Sequence, residues 1–214
     1  MSKVINILVD NDSWILQYAK KLKTLLIDAG HEVFLIRTAD EIRNGWCCFM
    51  LGCIKLVSSD DLSKNRHNLV VHESDLPLGR GFAPMSWQIL EGKNQIPICL
   101  LEAADEADAG NIWLRDTISL KGDELCDEWR ALQGLKTIEL CCRFVKEYNE
   151  LEPWGQTGIP TWYARRRPDD SKLDISHSIE SQMDLLRIVD NERYPAFFEY
   201  QNVKYQIQIK KVDD

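Results

Sequence analysis

Near its start the chain carries VINILV, a short apolar run at Val4–Val9. This run, with the helical pattern directly behind it, constrains the fold more than any other feature. A segment this short and this apolar suits a strand buried on both faces, as in a parallel sheet. Apolar residues then recur at helical spacing, Ile15, Ala19, Leu22, Leu26 and Ala29, with Asp10, Asn11, Asp12 and Ser13 available as an N-cap and Gly30 as the stop. His31–Ile36 and Trp46–Leu51 read as second and third strands, joined by a short helical or irregular connection around Asp40–Arg43. Strand, helix, strand is a βαβ unit, so the expectation is an α/β fold, a mostly parallel sheet with helices on both faces.

Asn68–His72 supplies a fourth strand, Ala83–Leu90 a short helix closed by Gly92, Ile96–Glu102 a fifth strand and Ile112–Leu120 an extended segment. Asp123–Asn149 is amphipathic through Leu125, Trp129, Leu132, Leu135, Ile138, Cys142 and Val145, a long helix suited to cover one face of the sheet. After about Leu151 the pattern changes. Pro153, Gly155, Gly158 and Pro160 punctuate a loop, Ile179–Val189 is helical, and Ala196–Tyr200 and Val203–Lys210 alternate around Gln201 and Asn202 as a β-hairpin. The expected organisation is one α/β domain over 1–150 and a small extension of loop, helix and hairpin over 151–214.

At 214 residues and 44% hydrophobic content the chain can bury a substantial core. Its net charge of −8 disfavours nucleic acid as a partner, because that affinity comes from neutralising phosphates with a basic face. The seven cysteines form no CxxC pair and mostly sit in apolar segments, so reduced core thiols are expected rather than a metal site or a disulfide framework. Apolar runs such as Ile96–Leu101 are far short of a membrane span, and MSKVINILVD lacks a long signal-peptide core. A cytoplasmic protein without membrane attachment is therefore expected.

Candidate chemistry concentrates between Asn68 and Ile112. His72 ends the fourth strand and opens into a turn bearing Ser74, Pro77, Gly79 and Gly81, the way an α/β sheet presents a reactive side chain at its carboxyl edge. Asp108 comes later in DAG, before Gly110. His31, His67 and His177 are read as structural, and Ser74, lacking a GxSxG elbow, as a turn residue rather than a nucleophile. Arg165, Arg166 and Arg167 form the densest positive run in an acidic chain, either a solvated stretch beside Asp169 and Asp170 or a phosphate contact.

His72, Ser74, Leu76, Pro77, Arg80, Gly81, Asp108 and Gly110, in this order and spacing, resemble the pattern of the 10-formyltetrahydrofolate-dependent formyltransferases. Two positions depart from it: Glu73 stands where the family usually has Pro, and Val70 where it usually has the catalytic Asn. Asn68 is the nearest amide. The YARRRP segment and the tail through SIESQMDLLRIVDNERYPAFFEY resemble the sugar N-formyltransferases that act on nucleotide-linked amino sugars, not the basic barrel of methionyl-tRNA formyltransferase.

That resemblance implies a Rossmann-like catalytic domain and formyl transfer to the amine of a UDP- or dTDP-linked amino-dideoxy sugar for a surface glycan. Such transfer needs a group to take the amine proton and donors for a tetrahedral oxyanion. His72 and Asp108 fit the first need, and Asn68, brought forward by a bulge, would fit the second. For the folate donor it points to the loop with Cys53, Ile54, Lys55 and Leu56 and to the stretch with Glu102 and Asp105. For the acceptor it points to Asn11, Asp12, Trp14, Gly79, Arg80, Arg165 and Arg167. No metal is implied, and a homodimer is an open expectation. The alternatives are a formyltransferase for another amine, a hydrolase releasing formate, or an inactive binding module.

Overall fold

The computed structural model describes residues 1–212. The chain opens with β1 (Val4–Leu8), α1 (Leu16–Asp28), β2 (Glu32–Ile36), β3 (Gly45–Met50) and the single-turn α2 (Ser59–Leu62). It continues with β4 (Asn65–His72), the two-residue β5 (Arg80–Gly81), α3 (Pro84–Leu90), β6 (Gln95–Glu102), β7 (Ile112–Ser119) and the 22-residue α4 (Cys126–Glu147). Beyond it come β8 (Trp162–Tyr163), α5 (Met183–Ile188), β9 (Ala196–Tyr200) and β10 (Val203–Ile207).

Six strands form one sheet in the order β2-β1-β3-β4-β6-β7. The first four pair in parallel, whereas β6 is antiparallel to both neighbours, so it alone is reversed. Strand alternation divides the core. Ile5 and Ile7 of β1, Phe49 of β3, Leu69 of β4 and Ile98 of β6 face α1, α3 and α4, with Phe144 fully buried among them. Leu8, Cys48 and Met50 face the other side, where Ile42, α2 residue Leu62 and loop residues cover them. The helices are thus shared unevenly, and the face carrying His72 is roofed by loops.

Gly30 ends α1 at φ +87, a conformation glycine adopts without penalty. The expected side-chain cap at its start does not form: the N-cap is Ile15, and Asp10, Asn11 and Asp12 spend their side chains elsewhere. The C-terminal helix is shorter than Ile179–Val189, because Gln182 leaves helical geometry (φ −113) and its amide bonds back to Asp174, dividing a 3₁₀ turn from α5. Gln201 and Asn202 both take positive φ, the turn that matches the twist of the β9–β10 hairpin. No helix among the described residues is long and apolar enough to cross a membrane.

Candidate active site

His72 is the last residue of β4 and is 5% exposed. Its Nε2 lies 2.8 Å from the Gly79 carbonyl oxygen, which can only accept, so this nitrogen carries a proton. The other ring nitrogen, Nδ1, faces Asp108 Oδ1 at 3.5 Å. The imidazole is therefore held at one edge by the turn that succeeds it, and its open nitrogen looks toward a carboxylate.

Asp108 reaches this position by a detour. Because β6 is antiparallel to β4, Glu102 pairs with Leu69, behind His72, and the β6–β7 loop must climb back to bring Asp108 alongside. Asp108 sits at φ +57, in the left-handed region. The Gly81 N–H donates to its Oδ2 at 2.9 Å, and the Gln156 side-chain amide donates to its carbonyl at 2.7 Å. Gly79 and Gly81 are themselves at φ +71 and +99, and a Cβ at Gly81 would lie 2.6 Å from the Tyr163 carbonyl oxygen. Only glycine lets this turn approach β8 so closely.

The other expected site residues divide into those the fold brings near and those it does not. Arg80 is buried behind the Asp108 loop, bonded to Gln156 at 2.8 Å and paired with Glu106 at 3.2 Å. Asn68 lies four residues before His72, about 13 Å along a strand. Pairing with β3 is regular through Cys48–Asn68 and Met50–Val70, so no bulge draws it forward. Its amide donates to the Leu62 carbonyl at 2.9 Å, and Val70 fills the intervening position between two apolar clusters.

Glu102 projects to the helix-covered face, as its cross-strand partner Leu69 does. There its carboxylate accepts from His67 Nδ1 at 2.7 Å, the Trp113 indole at 2.9 Å and the Asn68 N–H at 3.0 Å. Those three bonds hold it on that face. Asp105 is exposed on the same loop.

In the loop after β3, Ile54 is 55% and Leu56 88% exposed, an apolar edge presented to solvent. Its backbone is fixed by Asp10, whose carboxylate accepts the N–H groups of Ile54 and Lys55 at 3.0 and 2.9 Å. Asn11 adds a bond to the Gly52 carbonyl at 2.8 Å. Burial pushes the Cys53 thiol up to about 12, with the Asp10 charge acting the same way, so it is no nucleophile. Asp12 pairs with Arg37, and with Trp14 it lines a cleft of about 740 Å³ shared with Arg130, Asp190 and Arg193. Arg165 is exposed over the Phe82 ring at 5.6 Å. Arg166 instead lies over Trp87 at 5.7 Å and bonds the Asp170 carbonyl, while Arg167 is exposed.

Sequence reasoning missed Asp10 and Gln156. Asp10 was visible in the DNDS run, though as a cap; Gln156 gave no signal in a Pro- and Gly-rich loop. Among the described residues, no His, Cys, Asp and Glu side chains gather in a group that could hold a metal ion.

Glu73 is turned into the protein beside His72, and its carbonyl accepts from Gln88 at 2.5 Å. Burial pushes its carboxyl above the ordinary carboxylate range, opposed by the neighbouring His72. A raised acid favours its neutral form in the folded state, so its contribution is complete below the unfolded pKa and is lost as pH rises through the folded one. Glu73→Gln is thus expected to melt above wild type at pH 8 and to lose that advantage near pH 4. Equal melting temperatures at pH 8 would mean that the carboxylate is ionised without penalty.

No protein-family model matches the chain. Among solved structures, methionyl-tRNA formyltransferase from Clostridium thermocellum aligns over 100% of this chain and 94% of its own, with TM-score 0.80 at 21% identity. A 4-N formyltransferase from Francisella tularensis aligns over 98% and 99%, with TM-score 0.71 at 16% identity. HypX from Aquifex aeolicus, solved in complex with tetrahydrofolic acid, aligns over 95% of this chain but 37% of its own, with TM-score 0.74 at 17% identity. At these identities the likeness establishes the fold: the mixed, mostly parallel, Rossmann-like sheet of the formyltransferases.

Proposed function

We propose that the chain is an N-formyltransferase that moves a formyl group from 10-formyltetrahydrofolate to the amine of a nucleotide-linked amino-dideoxy sugar. The observation that carries this reading is the His72–Asp108 pair, held by Gly79 and Gly81 on this fold. An amine attacking the formyl carbon must shed a proton, and the tetrahedral intermediate then collapses by cleavage of the carbon–N10 bond, tetrahydrofolate leaving as its N10 takes up a proton. His72 Nδ1 is the ring nitrogen open to receive the amine proton, and Asp108 stabilises the resulting cation. Asn68 is committed to Leu62 and Val70 is apolar, so once His72 has taken the proton its imidazolium, rather than either of these side chains, would stabilise the oxyanion and return the proton to the departing nitrogen.

The donor supplies the formyl group, and the exposed Ile54 and Leu56, on a loop braced by Asp10, suit the flat face of its heterocycle. An acceptor on tRNA fits poorly with a net charge of −8. A nucleotide sugar fits better, because it needs only local positive charge. Arg165 offers it from the aromatic surface continuous with Gly81, and UDP and dTDP carriers would both be served.

Arg165→Ala is expected to raise KM for the sugar substrate about tenfold with kcat little changed, since a phosphate contact of about 1.5 kcal/mol is lost equally from ground and transition states. An unchanged KM would return Arg165 to solvent. The reading as a whole is tested by thermal shift with UDP- and dTDP-amino sugars and a tetrahydrofolate analogue, then by a formyl-transfer assay. Stabilisation without transfer would favour the second reading, an inactive binding module, for which Val70 is the specific observation.

A further inference from the structure

We infer that Gln156 is a positioning residue for Asp108, so that the segment after α4 sets the geometry of the candidate catalytic pair; this rests on the reading of His72 and Asp108 as that pair. Asp108 occupies φ +57, which a residue with a side chain keeps only when its surroundings over-determine it. Gln156 does so from outside the loop. Its amide nitrogen donates to the carbonyls of Asp108 at 2.7 Å and Gly110 at 2.9 Å, spanning the residue between them. Its amide oxygen accepts from Arg80 at 2.8 Å, and Arg80 in turn pairs with Glu106 on the same loop. Every hydrogen-bonding group of the amide is thereby engaged, and the partners fix its orientation, since a flipped amide would set its oxygen against two carbonyls.

Gln156 is itself anchored on both sides. Trp154 exchanges two backbone bonds with Ile112 at 2.9 and 3.0 Å, and Thr161 bonds the Pro77 carbonyl while its hydroxyl receives the Gly79 N–H. The same segment therefore touches both supports of the pair: the Gly79 turn that holds His72 and the loop that holds Asp108. Gln156 contacts no reacting atom. Its effect on the reaction runs through where Asp108 Oδ1 stands relative to His72 Nδ1.

The test compares Gln156→Ala and Gln156→Glu in the full chain. The Glu variant keeps the length and the Arg80 contact but loses both donor bonds. In each, kcat for formyl transfer is expected to fall about 10- to 100-fold with both KM values within about threefold, because misplacement of a catalytic group acts on the transition state. Separately, without substrate, the titration midpoint of His72 tracked by nuclear magnetic resonance is expected in Gln156→Ala to move in the same direction as in Asp108→Asn, whereas Gln156→Glu, which adds a charge beside the pair, is read by kcat. A wild-type midpoint in Gln156→Ala overturns the inference, as does wild-type kcat in the Glu variant. If wild type transfers formyl to no amine, the functional reading fails while the His72 titration still decides the role of Gln156; if Gln156→Ala does not fold, Gln156→Glu carries the test.

Discussion

His72→Asn is expected to lower kcat for formyl transfer at least about a hundredfold while lowering the melting temperature by only a few degrees, through loss of the buried Gly79 bond, and leaving nucleotide-sugar binding near wild type. General acid–base groups contribute about 10²- to 10⁴-fold, and an asparagine is too short to keep the Gly79 bond while presenting a basic nitrogen where Nδ1 stands. Asp108→Asn should cost a comparable factor for a different reason. The amide oxygen preserves the bond from the Gly81 N–H, so the loop stays in place, but the charge facing His72 is gone. Near-normal turnover in either variant, measured at saturating donor and acceptor, would remove the pair from the mechanism.

Both residues were legible because their signals are local: a histidine that ends an apolar strand before a glycine-rich turn, and an aspartate in a tight DAG loop. The strands and long helices were legible for a related reason, since periods of 2 and 3.6 are written in consecutive residues. Strand polarity is not. The apolar run at Ile96–Leu101 reads the same in either direction, and only the pairing of Glu102 with Leu69 reveals that β6 runs backwards. That reversal carried Glu102 to the end of β4 away from His72, and its register with Leu69 turns the side chain to the opposite face, where it bonds His67 and Trp113.

Long-range polar partners were the other hidden layer. Asp10 resembled a helix cap because it precedes α1, yet the loop after β3 offered its carboxylate two unpaired N–H groups, and those bonds won. Gln156 acts on Asp108 from 48 positions downstream, and no spacing rule covers such a distance. Val70 stood out in the sequence as a departure, but its consequence is visible only in the fold. It closes an apolar contact on the face of His72, and the regular pairing around it keeps Asn68 back.

The loop that delivers Asp108 has one position where the smallest change should have a large consequence. A Cβ built on Gly110 lies 1.8 Å from the backbone oxygen of Glu102, far inside contact distance, and its φ is not in the left-handed region, so the obstacle is purely steric. Glu102 cannot give way easily. Its carboxylate is tied to His67, Trp113 and the Asn68 backbone, and its N–H bonds the Asn111 carbonyl at 2.9 Å. In Gly110→Ala the loop must therefore swing outward, taking with it the carbonyl that Gln156 holds and, two residues earlier, Asp108. Overpacking of this kind costs about 1 to 3 kcal/mol, a drop in Tm of about 2 to 4 °C per kcal/mol for a chain of this size. Activity should suffer more, because a misplacement of about 1 Å costs on the order of 10² in rate. The expected result is a folded variant, several degrees less stable, with kcat reduced about a hundredfold. Comparable kcat in Gly110→Ala and wild type would show that the loop can move without moving the carboxylate, and that the close approach of Gly110 to β6 matters only for folding.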